Sequence, residues 1–243
     1  MPATSPKKLK NLLFIDVKTV AGVASFEQLD ARMQQHWESK ISRYKNEEPW
    51  TTAEWYANRA SYYAEFGKII CVGVGGVYWD DDDQPHLKIK TLANDQEEAI
   101  LSEFSQIIAR YPPKDLVLCA HNGKEFDYPY LCRRMVAHGI ELPLPLQLTG
   151  KKPWEIPHLD MLEQWQFVDK RHYVALDLLA ASLNVPTEPL PWSGDKTSFV
   201  YHQESDLERI RHYTEQSIEM LVQVYLHLTN TPLITAGHVV VSD

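Results

Sequence analysis

Positive charge is scarce in this chain. Lysine and arginine number 24 against 33 aspartates and glutamates, giving a formal net charge of −9. Such a balance repels polyanions on average and argues against tight, nonspecific nucleic-acid binding by charge alone. Cysteine is scarcer still. Cys71, Cys119 and Cys132 are odd in number, lack CxxC spacing and have no histidine cluster beside them, which excludes a disulfide framework and a cysteine-held zinc site. They read as reduced core thiols of a cytoplasmic protein. No apolar run reaches the roughly 18 residues of a membrane span, and none of signal-peptide character follows the basic residues Lys7, Lys8 and Lys10. A soluble protein with no membrane partner is expected. Internal repeats, low-complexity tracts and true linkers are also missing, which points to one domain.

Apolar residues, by contrast, are plentiful: 44% hydrophobic and 11% aromatic is ample for a core in a chain of 243 residues. "NLLFIDV" at 11–17 and "IICVGVGGVYW" at 69–79 are apolar runs of strand length. "DDDDQP" at 80–85 reads as the solvated tip of an antiparallel hairpin leading into the alternating "HLKIKTLA". Asn94 is the expected N-cap of a helix over 95–110. A fourth strand at 116–123 then leads into a helix, "EFDYPYLCRRMVAHG", closed by Gly139. Further helices are expected at about 158–168, 174–184 and 204–229. The order is that of an α/β protein with a mixed sheet. Residues 25–66 interrupt it with a Trp- and Tyr-rich segment, read as two helices covering one side of the sheet. The expected organisation is a basic tail over 1–10, a single domain over 11–229 carrying that helical insert, and an apolar C-terminal tail over 230–243, read as a strand or a docking arm.

"FIDVKT", at 14–19, poses the main chemical question. Asp16 and Lys18 are two residues apart, so an extended backbone points both to one face. A pair of carboxylates there would be half of a metal site; this chain supplies a carboxylate and an ammonium. Asp16 is read as closing its strand. Asp127, in "HNGKEFD", and Tyr213 and Ser217, in "YTEQS" on the last long helix, complete a recurring order.

"FIDVKT" resembles the first motif of ribonuclease H-like 3′-5′ exonucleases with four catalytic carboxylates, which runs acid, any residue, glutamate, threonine. "HNGKEFDYPYL" resembles the second, with Asn122, Phe126 and Asp127 in place, and "YTEQS" the third, which runs tyrosine, three residues, aspartate. With "EFGKIICVGVG", "GKKPWEIPHLDM", "LDLLAA" and "DLERIRHYTEQS", nearly the whole chain is similar to the bacterial predicted 3′-5′ exonucleases related to the proofreading domain of family B DNA polymerases, of the tyrosine-bearing (DEDDy) type.

That resemblance implies a ribonuclease H-like mixed sheet flanked by helices. It also implies two-metal phosphodiester hydrolysis, in which divalent ions about 4 Å apart clamp the scissile phosphate. Magnesium or manganese would be the family's cofactor, held by carboxylates. Asp16 and Asp127 match those ligands and Tyr213 the water-positioning tyrosine. Lys18 and Ser217 stand where the other two carboxylates belong. Glu215 and Glu219 lie roughly 200° around the helix from Ser217 and do not replace it. The metal is therefore expected to be absent or weakly bound, with the Lys18 ammonium neutralising Asp16 or Asp127 in its stead. Thr19, Asn122 and Phe126 are the expected contacts to a single-stranded nucleic acid, DNA or RNA.

Three functions follow. The first is a degenerate exonuclease that binds single strands without hydrolysis. The second is an active metal-dependent 3′-5′ exonuclease using Asp16 and Asp127, and the third a protein-interaction module on the same fold with a protein partner. Beyond the motifs, Asp160 in "HLDM" follows a motif-like segment, Trp154 is expected to pack structurally, and Lys151, Lys152, Lys170, Arg171 and His172 read as solvated unless they line a groove.

Overall fold

The computed structural model describes residues 9–44 and 48–242; Lys7 and Lys8, most of the expected basic tail, lie outside them. Five strands and then a sixth form one mixed sheet. β1 spans Leu12–Ala21, β2 Gly67–Trp79, β3 Pro85–Ala93, β4 Val117–Ala120, β5 Leu159–Asp160 and β6 Val239–Ser242, in the order β5-β4-β1-β2-β3-β6. β1 to β3 pair antiparallel in sequence, while β4, β5 and β6 pair parallel to β1, β4 and β3. The acidic run is the hairpin tip expected for it, where Asp80 Oδ1 accepts hydrogen bonds from the Asp82 and Gln84 amides.

The α-helices longer than one turn among the described residues are α1 (Ala31–Ile41), α2 (Thr52–Arg59), α3 (Glu97–Ile108), α4 (Asp127–Ala137), α5 (Met161–Gln166), α6 (Leu176–Ser182) and α7 (Leu207–Leu228). β1 is central and covered on both faces, and apart from Asp16, Lys18 and Thr19 it is apolar throughout. Its odd-numbered residues Leu13, Ile15 and Val17 pack with α3 and α4. Leu12 and Phe14 pack with α6 and α7. Alternation therefore turns Asp16 and Lys18 toward α7.

α7 lies very close to the sheet because β2 carries glycine beneath it. A Cβ on Gly73 would come within 2.7 Å of the side chains of both Thr214 and Ile218. Only glycine lets the helix approach that closely. Asp206 caps α7 by accepting the Arg209 amide at 3.0 Å, and its buried face includes Ile210, Tyr213, Thr214 and Ser217.

The structure corrects several local expectations. Asp16 does not close a strand: β1 continues to Ala21, with a slip in its pairing to β2 after Lys18. α3 begins at Glu97, not Asp95, and Asn94 does not cap it. Asn94 Oδ1 instead accepts the Gln96 amide in a short turn. The expected helix over 158–168 starts with strand β5, because Leu159 and Asp160 extend alongside β4. The two helices of the insert form, but they do not cover a face of the sheet. Trp37, Ile41, Trp55 and Tyr56 build a separate aromatic core with Ala21 and Phe66 at the far end of the β1–β2 pair. The apolar C-terminal segment supplies β6.

All three cysteines are free thiols, Cys71 and Cys119 buried and Cys132 half-buried. No helix among the described residues is long and apolar enough to cross a membrane.

Candidate functional site

A cleft of about 860 Å³ opens where β1, the turn after β4, α4 and α7 meet. Asp16, Lys18, Thr19, Asn122, Phe126, Asp127, Tyr213 and Ser217 all line it. The fold thus assembles from three separate segments every residue the sequence motifs single out.

Lys18 occupies the centre. Its Nζ lies 2.6 Å from Asp16 Oδ2 and 3.9 Å from the centroid of the Tyr213 ring. Lys18 is 7% exposed, so the ammonium is held in place of solvent. At 2.6 Å the pair is a short, charge-assisted contact. Burial pulls the Lys18 ammonium toward its neutral form, but the Asp16 carboxylate foremost among its neighbours outweighs this and holds its pKa above the ordinary lysine value.

Asp127 is the first residue of α4 and is buried. Its Oδ1 accepts the Val17 amide at 2.9 Å, tying the start of α4 to the middle of β1. Burial first, and then the charge of Asp16, push its carboxyl well above the usual carboxylate range. Among the described residues Lys18 ion-pairs with Asp16 and not with Asp127, so of the two aspartates it was expected to neutralise, it serves Asp16. The two acids differ in setting: Asp16 is paired with an ammonium, whereas burial and the nearby Asp16 charge disfavour the charged form of Asp127.

Tyr213 is nearly buried beneath this pair and packs against Trp192 at 4.6 Å between ring centroids. Its ring face is taken up by the Lys18 ammonium, a cation–π contact. Ser217 is buried one turn further along α7. Glu215 is turned toward β3, where Thr91 Oγ1 donates to its Oε1 at 3.3 Å.

These donors do not fit a pair of divalent cations. Among the described residues no three His, Cys, Asp or Glu side chains gather as a metal site, and the space beside Asp16 is filled by a like-charged ammonium. A magnesium ion prefers six oxygen ligands in near-octahedral array.

Asp160 holds the turn that carries Asn122, a role the sequence reading did not assign. Its buried carboxylate accepts the amides of Asn122 at 2.9 Å, Lys124 at 3.0 Å and Leu162 at 3.0 Å. Asn122 takes a left-handed backbone, φ 61°, which asparagine tolerates better than most residues. The readable signal was an aspartate at a strand-to-helix junction, where N-caps belong. Phe126 packs between Tyr130 at 5.3 Å and Tyr62 at 6.3 Å. Tyr62 and Arg59, also on the cleft wall, come from the helical insert and carried no sequence signal.

Trp154 does not pack structurally: it is 77% exposed, with the Lys152 ammonium 5.3 Å from its ring. Lys151, Lys152, Lys170, Arg171 and His172 do not line the cleft. Lys170 and Arg171 pair with Glu163 and Asp169 at the surface.

The sheet order, the flanking helices and the carboxylates at the mouth of β1 and α4 define an α/β domain of the ribonuclease H-like fold. Residues 63–233 match the family described as predicted 3′-5′ exonuclease related to the exonuclease domain of PolB, more than half of the chain, and the chain belongs to that family. The matched stretch begins after Asp16, Lys18 and most of the insert. A DNA polymerase of Pyrococcus glycovorans is 25% identical over 118 residues, 49% of this chain and 14% of the polymerase. The structure of the family B DNA polymerase from the hyperthermophilic archaeon Pyrobaculum calidifontis is similar over 89% of this chain and 24% of that one, with a TM-score of 0.54 and 14% identity. This chain therefore spans a small part of either relative, and the second likeness is one of fold.

Proposed function

We propose that this protein is a non-hydrolysing member of its exonuclease family, whose cleft receives a single-stranded nucleic acid, DNA or RNA, without cutting it. The observation that carries the reading is the 2.6 Å contact between Lys18 and Asp16. An ammonium there supplies the positive charge that a divalent ion would bring, but offers no bound water to activate. Asp16 and Asp127 are the surviving acids of the family's four, Lys18 and Ser217 the replaced ones. Tyr213, with Lys18 across its ring, has no attacking water to orient. Thr19, Asn122 and Phe126 keep their places along the strand's expected path, and magnesium or manganese takes no part. The reading assigns residues 11–229 to one domain, the insert included.

Cleavage of 5′-labelled single-stranded DNA and RNA in magnesium or manganese tests this. The natural chain should leave both intact, while a Lys18→Glu, Ser217→Asp double variant should trim from the 3′ end and lose that ability on further Asp127→Ala substitution. Chelator-sensitive trimming by the natural chain, abolished by Asp127→Ala, would overturn the proposal.

A further inference from the structure

The cleft is poor in available positive charge. Asp16, Asp127, Asp177 and Asp195 line it against Lys18 and Arg59, and Lys18 is committed to Asp16. Asp177 accepts the Leu190 amide and Asp195 the Ser193 hydroxyl, so both remain acceptors that disfavour a phosphate. A polyanion entering this cleft needs a cation from elsewhere.

Arg59 is that cation. It is the last residue of α2, and among the described residues it forms no ion pair. Its guanidinium is steadied by aromatic rings instead, 5.7 Å from the centroid of Tyr62 and 5.8 Å from that of Trp50. Cation–π contacts of this kind orient a guanidinium while leaving its N–H fork open. Tyr62 is 40% exposed and stands edge-on to Phe126, their planes 65° apart. Burial first, and then the nearness of Asp195, raise the Tyr62 phenol pKa, so it stays neutral. The wall thus offers a planar cation, an exposed ring and a second ring behind it.

We propose that Arg59 and Tyr62 form a nucleotide subsite supplied by the helical insert, with the Arg59 fork on one phosphodiester and the adjoining unpaired base stacked on Tyr62 beside Phe126. This rests on the reading of the cleft as a single-strand site and adds where its affinity arises. Arginine matches the geometry of a phosphate with two parallel N–H bonds. Aromatic side chains bind successive bases irrespective of sequence, because every base has a π face. The insert therefore does for binding what the altered motif residues, lacking a metal, do not.

Fluorescence anisotropy of 5′-labelled unpaired DNA and RNA oligonucleotides over a range of salt tests the subsite. The natural chain would be compared with Arg59→Gln, Tyr62→Ala, Tyr62→Phe and, as an equal change of charge outside the cleft, Lys152→Gln. Arg59→Gln should weaken binding and reduce the slope of log K against log salt by about 0.7, the value for one phosphate contact on a single strand. Tyr62→Ala should weaken binding roughly fivefold or more, with Tyr62→Phe and Lys152→Gln like the natural chain. Melting temperatures establish that each variant is folded. Binding by the natural chain with an unchanged slope in Arg59→Gln, or unchanged affinity in Tyr62→Ala, overturns the subsite and leaves the cleft reading standing. Absence of oligonucleotide binding by the natural chain overturns both.

Discussion

Lys18 Nζ sits 2.6 Å from Asp16 Oδ2, two residues apart on one strand and on the same side of it. A contact this local is set by strand pleating, so it forms wherever β1 forms. Its consequence is tertiary: α7 and α4 close over a carboxylate that is already paired.

Lys18→Ala should destabilise the fold by about 2–3 kcal/mol, less than the full range for breaking a buried pair because the Asp16 side chain is 20% exposed. Lost stem packing and the Asp16 carboxylate left without its partner both contribute. Urea denaturation at neutral pH measures it, and Lys18→Met, which keeps the stem, should recover part of the loss.

Magnesium should leave the melting temperature of the natural chain unchanged. In the Lys18→Glu, Ser217→Asp variant four carboxylates would face one another, so that protein should be less stable without metal and gain on adding it. Ligand at a hundredfold excess over its dissociation constant contributes about 2.7 kcal/mol. Thermal melts with magnesium and with chelator distinguish the two proteins, and equal shifts in both would contradict the fit argued for Lys18.

Asp160→Ala should cost about 3 kcal/mol or more, since three backbone amides lose their acceptor in a buried turn. Asp160→Asn should cost less, because the oxygen that serves Asn122 and Leu162 is retained and only the Lys124 amide loses its partner. Hydrogen exchange at residues 121–124 should accelerate in the order natural, Asn, Ala.

His158 should make the protein acid-sensitive. Burial is the main cause of its pKa being pulled down to about 4. The neutral ring accepts the Leu118 amide at Nδ1 and donates from Nε2 to the Pro145 carbonyl. The unfolded chain, with an ordinary value of about 6.5, takes up the proton first as pH falls. This contribution to stability is therefore full above pH 6.5 and is lost on descending to about 4, by roughly 3 kcal/mol. Denaturant midpoints across that interval should flatten in His158→Gln.

Much of this protein was legible in its sequence. The β1–β2–β3 order, the acidic hairpin tip, the Gly139 helix stop and the long α7 follow from short-range chemistry: β-branched runs, turn residues and capping groups act within a few positions. The motif residues were legible for the same reason, since Asp16 and Lys18 share a strand face by the period of two. Errors fell where a second segment decides. Asp16 looked like a strand end because "DVKT" is polar, yet helices covering both faces of the sheet allow β1 to run on to Ala21. Residues 158–160 read as helix until β4 offered an edge to pair with.

The sequence by itself determined the elements, the family and the identity of the groups at the site. Only the tertiary structure decided that Asp127 is tied to the middle of β1 through the Val17 amide, that Asp160 holds the Asn122 turn, and that the insert lends Arg59 and Tyr62 to the cleft. Each of those is a meeting of segments distant in the chain, and depends on how closely α7 approaches over Gly73 and where the aromatic core of the insert docks. Local propensity carries no information about such distances; packing sets them.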